Sequence, residues 1–254
     1  MKIASWNVNS LRVRLPHVLK WIEENSIDII ALQETKTQDE NFPEDEIKKA
    51  GYHAVFQGQK TYNGVAIFSK KPPSEVVFEI KGTENFGKRI IAATINNVRV
   101  LNLYVINGAE VGSEKYNQKL KWLKAVKKFI EEDSKKYKDY LIMGDFNIAP
   151  GDPDVHDPAA WEGKILCSEK ERKALKSILD LGFVDSFRLF EQEEKVFSWW
   201  DYRAGGFRRN HGLRIDLILA SENAKSRCKS SIVDKTPRGW DRPSDHAPVC
   251  VEIK

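Results

Sequence analysis

The chain has 254 residues, 41% of them hydrophobic and 31% charged, with a formal net charge of +4. That is enough chain to bury a substantial core. Nothing Gly/Ser-rich or low in complexity divides it, so a single domain over 1–254 is expected. No apolar run approaches the roughly 18–20 residues needed to cross a membrane, and the mild positive charge permits a polyanionic partner without requiring one.

The first stretch, "KIASW", has the pattern of a strand and turns polar within a few residues, which is no signal peptide. "RLPHVLKWIEENS" then places Val18, Leu19 and Ile22 on one helical face. "DIIALQ", "GVAIFS", "IIAATI" and "VRVLNLYV" follow as short apolar runs with strand character, the last two joined by a tight turn in "INNVRV". A long amphipathic segment comes next, repeating Tyr116, Leu120, Leu123, Val126 and Ile130 at helical spacing. After the strand "YLIMG", Ser168 and Glu171 have the spacing of a capping box, and the helix they open should stop by Gly182. "RIDLILA" and "APVCVEI" complete the strands. Interleaved helices and short strand-to-strand turns together predict mixed sheets rather than one parallel sheet. "IASWNVNS" and "LIMGDFNIAP" echo one another, which fits two related halves packed face to face.

The three cysteines, Cys167, Cys228 and Cys250, are far apart and form no C-x-x-C pair. Neither a disulfide framework nor a cysteine zinc site is expected, and a reducing cytoplasm suits the chain.

Polar residues collect where the apolar runs end. Asn7 and Asn9 follow the first strand, Gln33 and Glu34 the second. Tyr104 and Asn107 end "VLNLYVIN", Asp145 and Asn147 end "YLIMG", Asp216 interrupts "LRIDLILA", and Asp245-His246 precede the last strand. Any one of these suits an ordinary turn. Their conjunction suggests carboxylates, amides and an imidazole converging on one site. Arg214 neighbours Asp216 in sequence, but adjacent residues of a strand face opposite ways, so His246 is the expected partner of Asp216. Glu34, Asp145 and Asp245 are hard oxygen ligands with no thiolate among them, a set that favours Mg²⁺ or Mn²⁺ over Zn²⁺. Such ions act on phosphates. A metal-dependent phosphodiester hydrolase follows; a glycosidase would use paired carboxylates but would not need the amides and the histidine.

The ordered motifs "WNVNSLR", "LQETK", "YNGVAIFSK", "GDFNIAP", "FSWWDYR", "HGLRIDLILAS" and "PSDHAPV" resemble the exonuclease III type of apurinic/apyrimidinic (AP) endonucleases, in the endonuclease/exonuclease/phosphatase superfamily. The match covers residues 2–252. The resemblance implies an α/β fold, a four-layered sandwich of two packed mixed β-sheets flanked by helices. It also implies Mg²⁺-dependent hydrolysis of DNA 5′ to an abasic site to leave a 3′-hydroxyl, with repair of blocked 3′ ends and 3′→5′ exonuclease action. The implied partner is double-stranded DNA and the implied state a monomer. By motif, Glu34 falls on a metal-ligand position, Asn9 where some relatives carry a second acid, and Asp245 near the metal. Asn7 would hold Asp145, the base for the attacking water; Asn147 would position that water; Tyr104 would touch the scissile phosphate; His246, oriented by Asp216, would stabilise transition-state charge. Arg12, Tyr62, Asn63, Gly64 and Asn107 match residues that grip DNA. Trp199, Leu213 and Ile215 match an apolar pocket for an extrahelical sugar, and one of Trp199 and Trp200 should be core. A less specific nuclease or a phosphatase of the same superfamily is the alternative, against which "WWDYR" and "GLRIDLIL" argue. A DNA-binding protein without catalysis would be expected to have lost one of the polar residues.

Overall fold

The computed structural model describes residues 1–254. Its strands are β1 (Lys2–Asn7), β2 (Ile29–Gln33), β3 (His53–Gln57), β4 (Val65–Ser69), β5 (Ser74–Val77), β6 (Ile90–Ile95), β7 (Val98–Tyr104), β8 (Asp139–Asp145), β9 (Phe183–Asp185), β10 (Trp199–Trp200), β11 (Gly212–Leu213), β12 (Asp216–Ser221), β13 (Cys228–Val233) and β14 (Val249–Ile253). Its helices are α1 (Leu11–Glu24), α2 (Glu44–Lys49), α3 (Glu114–Asp133), α4 (Pro158–Trp161), α5 (Glu169–Leu179), α6 (Gly206–Arg209) and α7 (Glu222–Arg227).

Two six-stranded sheets run β13-β14-β1-β2-β4-β3 and β5-β6-β7-β8-β12-β9, and β10 and β11 make a separate two-stranded ribbon. Each large sheet has one parallel pair, β1–β2 or β7–β8, and only antiparallel neighbours elsewhere. Both sheets thus repeat one plan, as the echo between β1 and β8 suggested. Strand alternation builds the layers. Ile3, Ile29, Leu141 and Met143 pack between the sheets. On the outer face of the first sheet, Ala4, Trp6, Ile30 and Leu32 pack against Val18, Trp21 and Ile22 of α1. On the outer face of the second, Tyr140 and Ile142 meet Trp122, Leu123, Val126 and Ile130 of α3, and Leu175 and Ile178 of α5. The result is the expected four-layered α/β sandwich.

Local chemistry sets several boundaries. Asn96 and Asn97, both at positive φ (48° and 64°), make the two-residue turn between β6 and β7. Ser168 and Glu171 form the capping box that opens α5. α3 departs from its expected pattern. Leu120 is only half-buried, and Lys119 lies fully buried on the core side.

Candidate active site

The inward-facing rows of five strands lead to one end of the sandwich. Ile3-Ser5-Asn7, Ile29-Ala31-Gln33 and Leu141-Met143-Asp145 each begin apolar and finish polar. Tyr104 and Asp216 both pair with Asp145 across the second sheet. Behind them, buried Gln33 donates to Asn102 Oδ1 (2.8 Å) and to Ser5 Oγ (3.0 Å), tying the two sheets together. Gly144 explains the glycine of "GDFN". Its φ is +144°, and an added Cβ would fall 1.8 Å from the carbonyl oxygen of Leu103.

Asp145 is held by two amides. Asn7 Nδ2 donates to Asp145 Oδ2 and to Glu34 Oε1, both at 2.9 Å. The Asn147 backbone N–H donates to Asp145 Oδ1 (2.9 Å), and Asn147 Nδ2 to Asp145 Oδ2 (3.2 Å). Asn107 Nδ2 in turn donates to Asn147 Oδ1 at 3.0 Å. Burial pushes the Asp145 carboxyl up to about 7, against the opposing pull of the His246 imidazolium. His246 Nδ1 lies 2.8 Å from Asp216 Oδ2, and its Nε2 is 3.9 Å from Asp145 Oδ2. Burial pulls the imidazole down, but the carboxylates of Asp216 and Asp145 outweigh it and carry the pKa up to about 10. His246 is therefore a cation at neutral pH. Ser198 completes the row, donating to Asp216 Oδ2 (2.6 Å) while accepting from the backbone N–H groups of Ile215 and Asp216.

Burial, with Glu34 and Asp145 nearby, raises the Tyr104 phenol well above its usual range, so it stays protonated. The Arg89 guanidinium sits 4.5 Å from its ring centroid. Burial pushes Glu34 up as well, but the Asn7 hydrogen bond and Lys36 outweigh this and hold it below the ordinary value. Glu34, Asp145 and His246 each present a ligand-type atom within 4.8 Å of the others. With His246 protonated, the usable donors there are oxygens, which suits a hard divalent cation. Several residues of these loops adopt left-handed backbone: Asn9, Ser10, Glu34, Lys36 and Asn147 have φ of 44°, 93°, 52°, 52° and 50°. Such strain, of order 1–3 kcal/mol per residue, persists where surrounding contacts enforce it.

Some expected residues fall elsewhere. Asn9 Oδ1, its only side-chain atom able to ligate a metal, accepts from the Lys36 ammonium (2.5 Å), and its Nδ2 donates to Asp245 Oδ1 (2.9 Å). Asp245 also accepts from Trp199 Nε1 (3.1 Å) and stands outside the Glu34–Asp145–His246 cluster. Gly64 does not lie open to a phosphate. It is buried, its N–H donates to the Lys88 carbonyl, and an added Cβ would meet Thr35 Oγ1 at 2.2 Å. Leu213 and Ile215 are fully buried in a small core with Val155, Leu166 and Cys167. Trp199 packs half-buried on that core, whereas Trp200 is completely buried. Arg12, Tyr62 and Asn107 are exposed and Asn63 is half-buried. Lys36, Arg89, Ser198 and Lys119 carry site contacts that sequence reasoning missed. Of these, Lys36 had a signal, as the cation two residues after Glu34 in "LQETK".

A four-layered sandwich with carboxylates, amides and a histidine–aspartate pair at one end defines a class of phosphoester hydrolases. The chain belongs to the Endonuclease/Exonuclease/phosphatase family, whose profile matches residues 4–246. It is 37% identical to exodeoxyribonuclease III of Haemophilus influenzae over 268 residues, covering 100% of both chains. Among solved structures, a 3′ phosphatase from Neisseria bound to product DNA hairpin superposes with a TM-score of 0.98 at 43% identity, covering 100% of this chain and 99% of that one. An AP endonuclease from Archaeoglobus fulgidus gives 0.95 at 39% identity, with the same coverage.

Proposed function

We propose that the protein is a Mg²⁺-dependent nuclease of DNA repair. It would cut the phosphodiester 5′ to an abasic site in double-stranded DNA, leave a 3′-hydroxyl, and clear phosphate or other blocks from 3′ ends. The observation that carries this reading is the buried Asp145 carboxylate, fixed by Asn7 and Asn147 and facing the His246–Asp216 pair. The relatives described as exodeoxyribonuclease III, 3′ phosphatase and AP endonuclease favour the same chemistry. One catalytic domain, acting as a monomer in the cytoplasm, is part of the proposal.

The residues divide the work by position and charge. Asp145, raised toward neutrality, takes the proton of the attacking water, and Asn147, whose amide protons go to Asp145 and the Val105 carbonyl, orients that water through the remaining lone pair of its Oδ1. The His246 cation, kept charged by Asp216, faces the scissile phosphate and stabilises charge developing on its oxygens. Tyr104 remains protonated and donates a hydrogen bond to the phosphate rather than serving as base. Glu34 would hold the cation, with Asp145 beside it and Asp245 farther off. A bound Mg²⁺, or Mn²⁺ in its place, would supply neutralisation of phosphate charge and of the leaving oxygen. Arg12, Tyr62, Asn63 and Asn107 would contact the DNA backbone around the site, with Trp199 against the abasic sugar.

The test uses three duplex oligonucleotides: one with an abasic-site analogue, one with a 3′-phosphate at a nick, and one undamaged. Each is incubated with the protein in Mg²⁺ and in EDTA. Cutting of the abasic duplex and dephosphorylation of the nicked one, both only with Mg²⁺, are expected. Equal cutting of damaged and undamaged duplexes would favour the less specific nuclease. No reaction in Mg²⁺ or Mn²⁺ would refute the proposal.

A further inference from the structure

Lys119 is a charged side chain with no exposure at all, paired with Glu171, which is equally buried. Removing a lysine and a glutamate from water costs folding free energy that well-packed apolar residues would not. The three protons of the ammonium are all used. One goes to Glu171 Oε1, one to the Asn107 carbonyl oxygen (3.1 Å) and one to the Asn147 carbonyl oxygen (2.7 Å).

Those two carbonyls belong to the residues whose side chains meet over Asp145. The Asn147 backbone is left-handed (φ 50°), a conformation a non-glycine residue holds only under constraint. Glu171 is itself locked, accepting from Leu166 N (3.1 Å), Ser168 N (3.1 Å) and Ser168 Oγ (2.6 Å). The chain of contacts thus runs from the α5 capping box, through a fixed ion pair, to the backbone of the two amides. Gly108 lies so close over Lys119 that an added Cβ would sit 3.2 Å from its Cδ.

We infer that Lys119 is a positioning residue: its ammonium, anchored by Glu171, clamps the Asn107 and Asn147 backbones so that the Asn147 side chain is preset to orient the nucleophile. The inference rests on the nuclease reading for its kinetic consequence but not for its structural one. The clamp also gives the 151–167 segment a route to the site, since the Leu166 N–H bonds the same carboxylate that anchors Lys119.

The test compares Lys119→Met/Glu171→Gln with Arg99→Met/Asp133→Asn, which dismantles another buried pair, at the opposite end of β7. Each double variant removes both charges, so neither leaves a lone buried ion, and glutamine in place of Glu171 can still serve the capping box. Thermal unfolding establishes that each is folded at the assay temperature. Hydrogen exchange is followed at the Asn147 amide, with the Met143 amide of β8 as reference, and kcat and KM are measured on the abasic duplex in Mg²⁺. In Lys119→Met/Glu171→Gln, Asn147 exchange should quicken about tenfold over Met143, and kcat should fall by about 10²-fold with KM little changed. Arg99→Met/Asp133→Asn should show neither effect. A folded Lys119→Met/Glu171→Gln protein with wild-type exchange at Asn147 overturns the inference, as does one with accelerated exchange but wild-type kcat. Accelerated exchange in a protein whose wild type cleaves no DNA would support the clamp and refute only the nuclease reading.

Discussion

The two ends of the second sheet treat buried charge in opposite ways. At the start of β7, the buried Arg99–Asp133 pair is fully matched, and the exposed Lys136 ammonium adds a second cation 3.5 Å from Asp133 Oδ1. Arg99 donates to Asp133 Oδ2 (2.9 Å), to the Glu75 carbonyl (2.7 Å) and to Thr94 Oγ1 (3.3 Å), and Tyr140 donates to the same Asp133 oxygen (3.0 Å). Both oxygens of Asp133 thus face protein donors. At the far end, Glu34, Asp145 and Asp216 gather around His246 with Asp245 outside them, and the cations in ion-pair contact with these carboxylates are Lys36 and His246. Negative charge in excess of its partners opposes folding, and it is useful where a cation and a polyanion are to be bound. The same sheet therefore has a complete buried charge cluster at one end and, at the other, carboxylates short of positive charge.

The largest expected effect separates the two ends by activity. Asp145→Asn should lower kcat by about 10³–10⁴-fold through loss of the general base, with DNA affinity nearly unchanged. Its urea stability at pH 8 should move by less than about 1 kcal/mol, because relief of the buried charge offsets the acceptor lost to Asn7. Next, Asp133→Asn should do the reverse. Leaving Arg99 buried without its anion should cost about 3–5 kcal/mol in urea unfolding, with kcat of the folded protein intact. A stability loss at Asp145 as large as that at Asp133 would erase the contrast.

A smaller effect concerns pH. The carboxyl of Asp145 is raised to about 7, so activity should fall as pH drops through that value or, with a bound cation favouring the ionised form, somewhat below it. His246 is raised to about 10, so activity should fall again as pH rises through that value and the imidazolium is lost. Asp216→Asn removes the main group raising His246, and the basic limb of the kcat–pH profile should shift toward neutrality. An unmoved basic limb would exclude His246 as its source. The smallest effect is at the periphery. Arg12→Ala should weaken DNA binding modestly and reduce the slope of log K against log[salt] by about 1. An unchanged slope would mean Arg12 touches no phosphate.

Legibility in the sequence followed burial. The runs "KIASW", "DIIALQ", "GVAIFS", "IIAATI", "VRVLNLYV", "YLIMG", "RIDLILA" and "APVCVEI" became the interior strands of the two sheets. The strands missed in the two large sheets, β3, β5, β9 and β13, are all edges, and the two-residue strands β10 and β11 of the ribbon were missed as well. Edges carry polar residues such as His53, Ser74, Glu75 and Lys229, which weaken the strand pattern while discouraging edge-to-edge pairing. The site was legible wherever a polar residue ended an apolar row, as at Asn7 and Asp145. The link between Asp216 and His246 was legible from strand alternation. Lys119 and Ser198 were not, because a lysine on a charged helix and a serine beside two tryptophans look ordinary until the fold buries them. The burial of Leu213 and Ile215 was not legible either. Apolar residues at a pocket position and in a small core have the same sequence signature.

One end of the sandwich lacks the positive charge its carboxylates require. Titrating Mn²⁺ into the DNA-free protein while following water-proton relaxation, with Glu34→Gln as the comparison, measures that shortfall. One ion bound by the wild type and strongly weakened binding by Glu34→Gln is the expected result. Equal binding by both proteins, or none by the wild type, would contradict it.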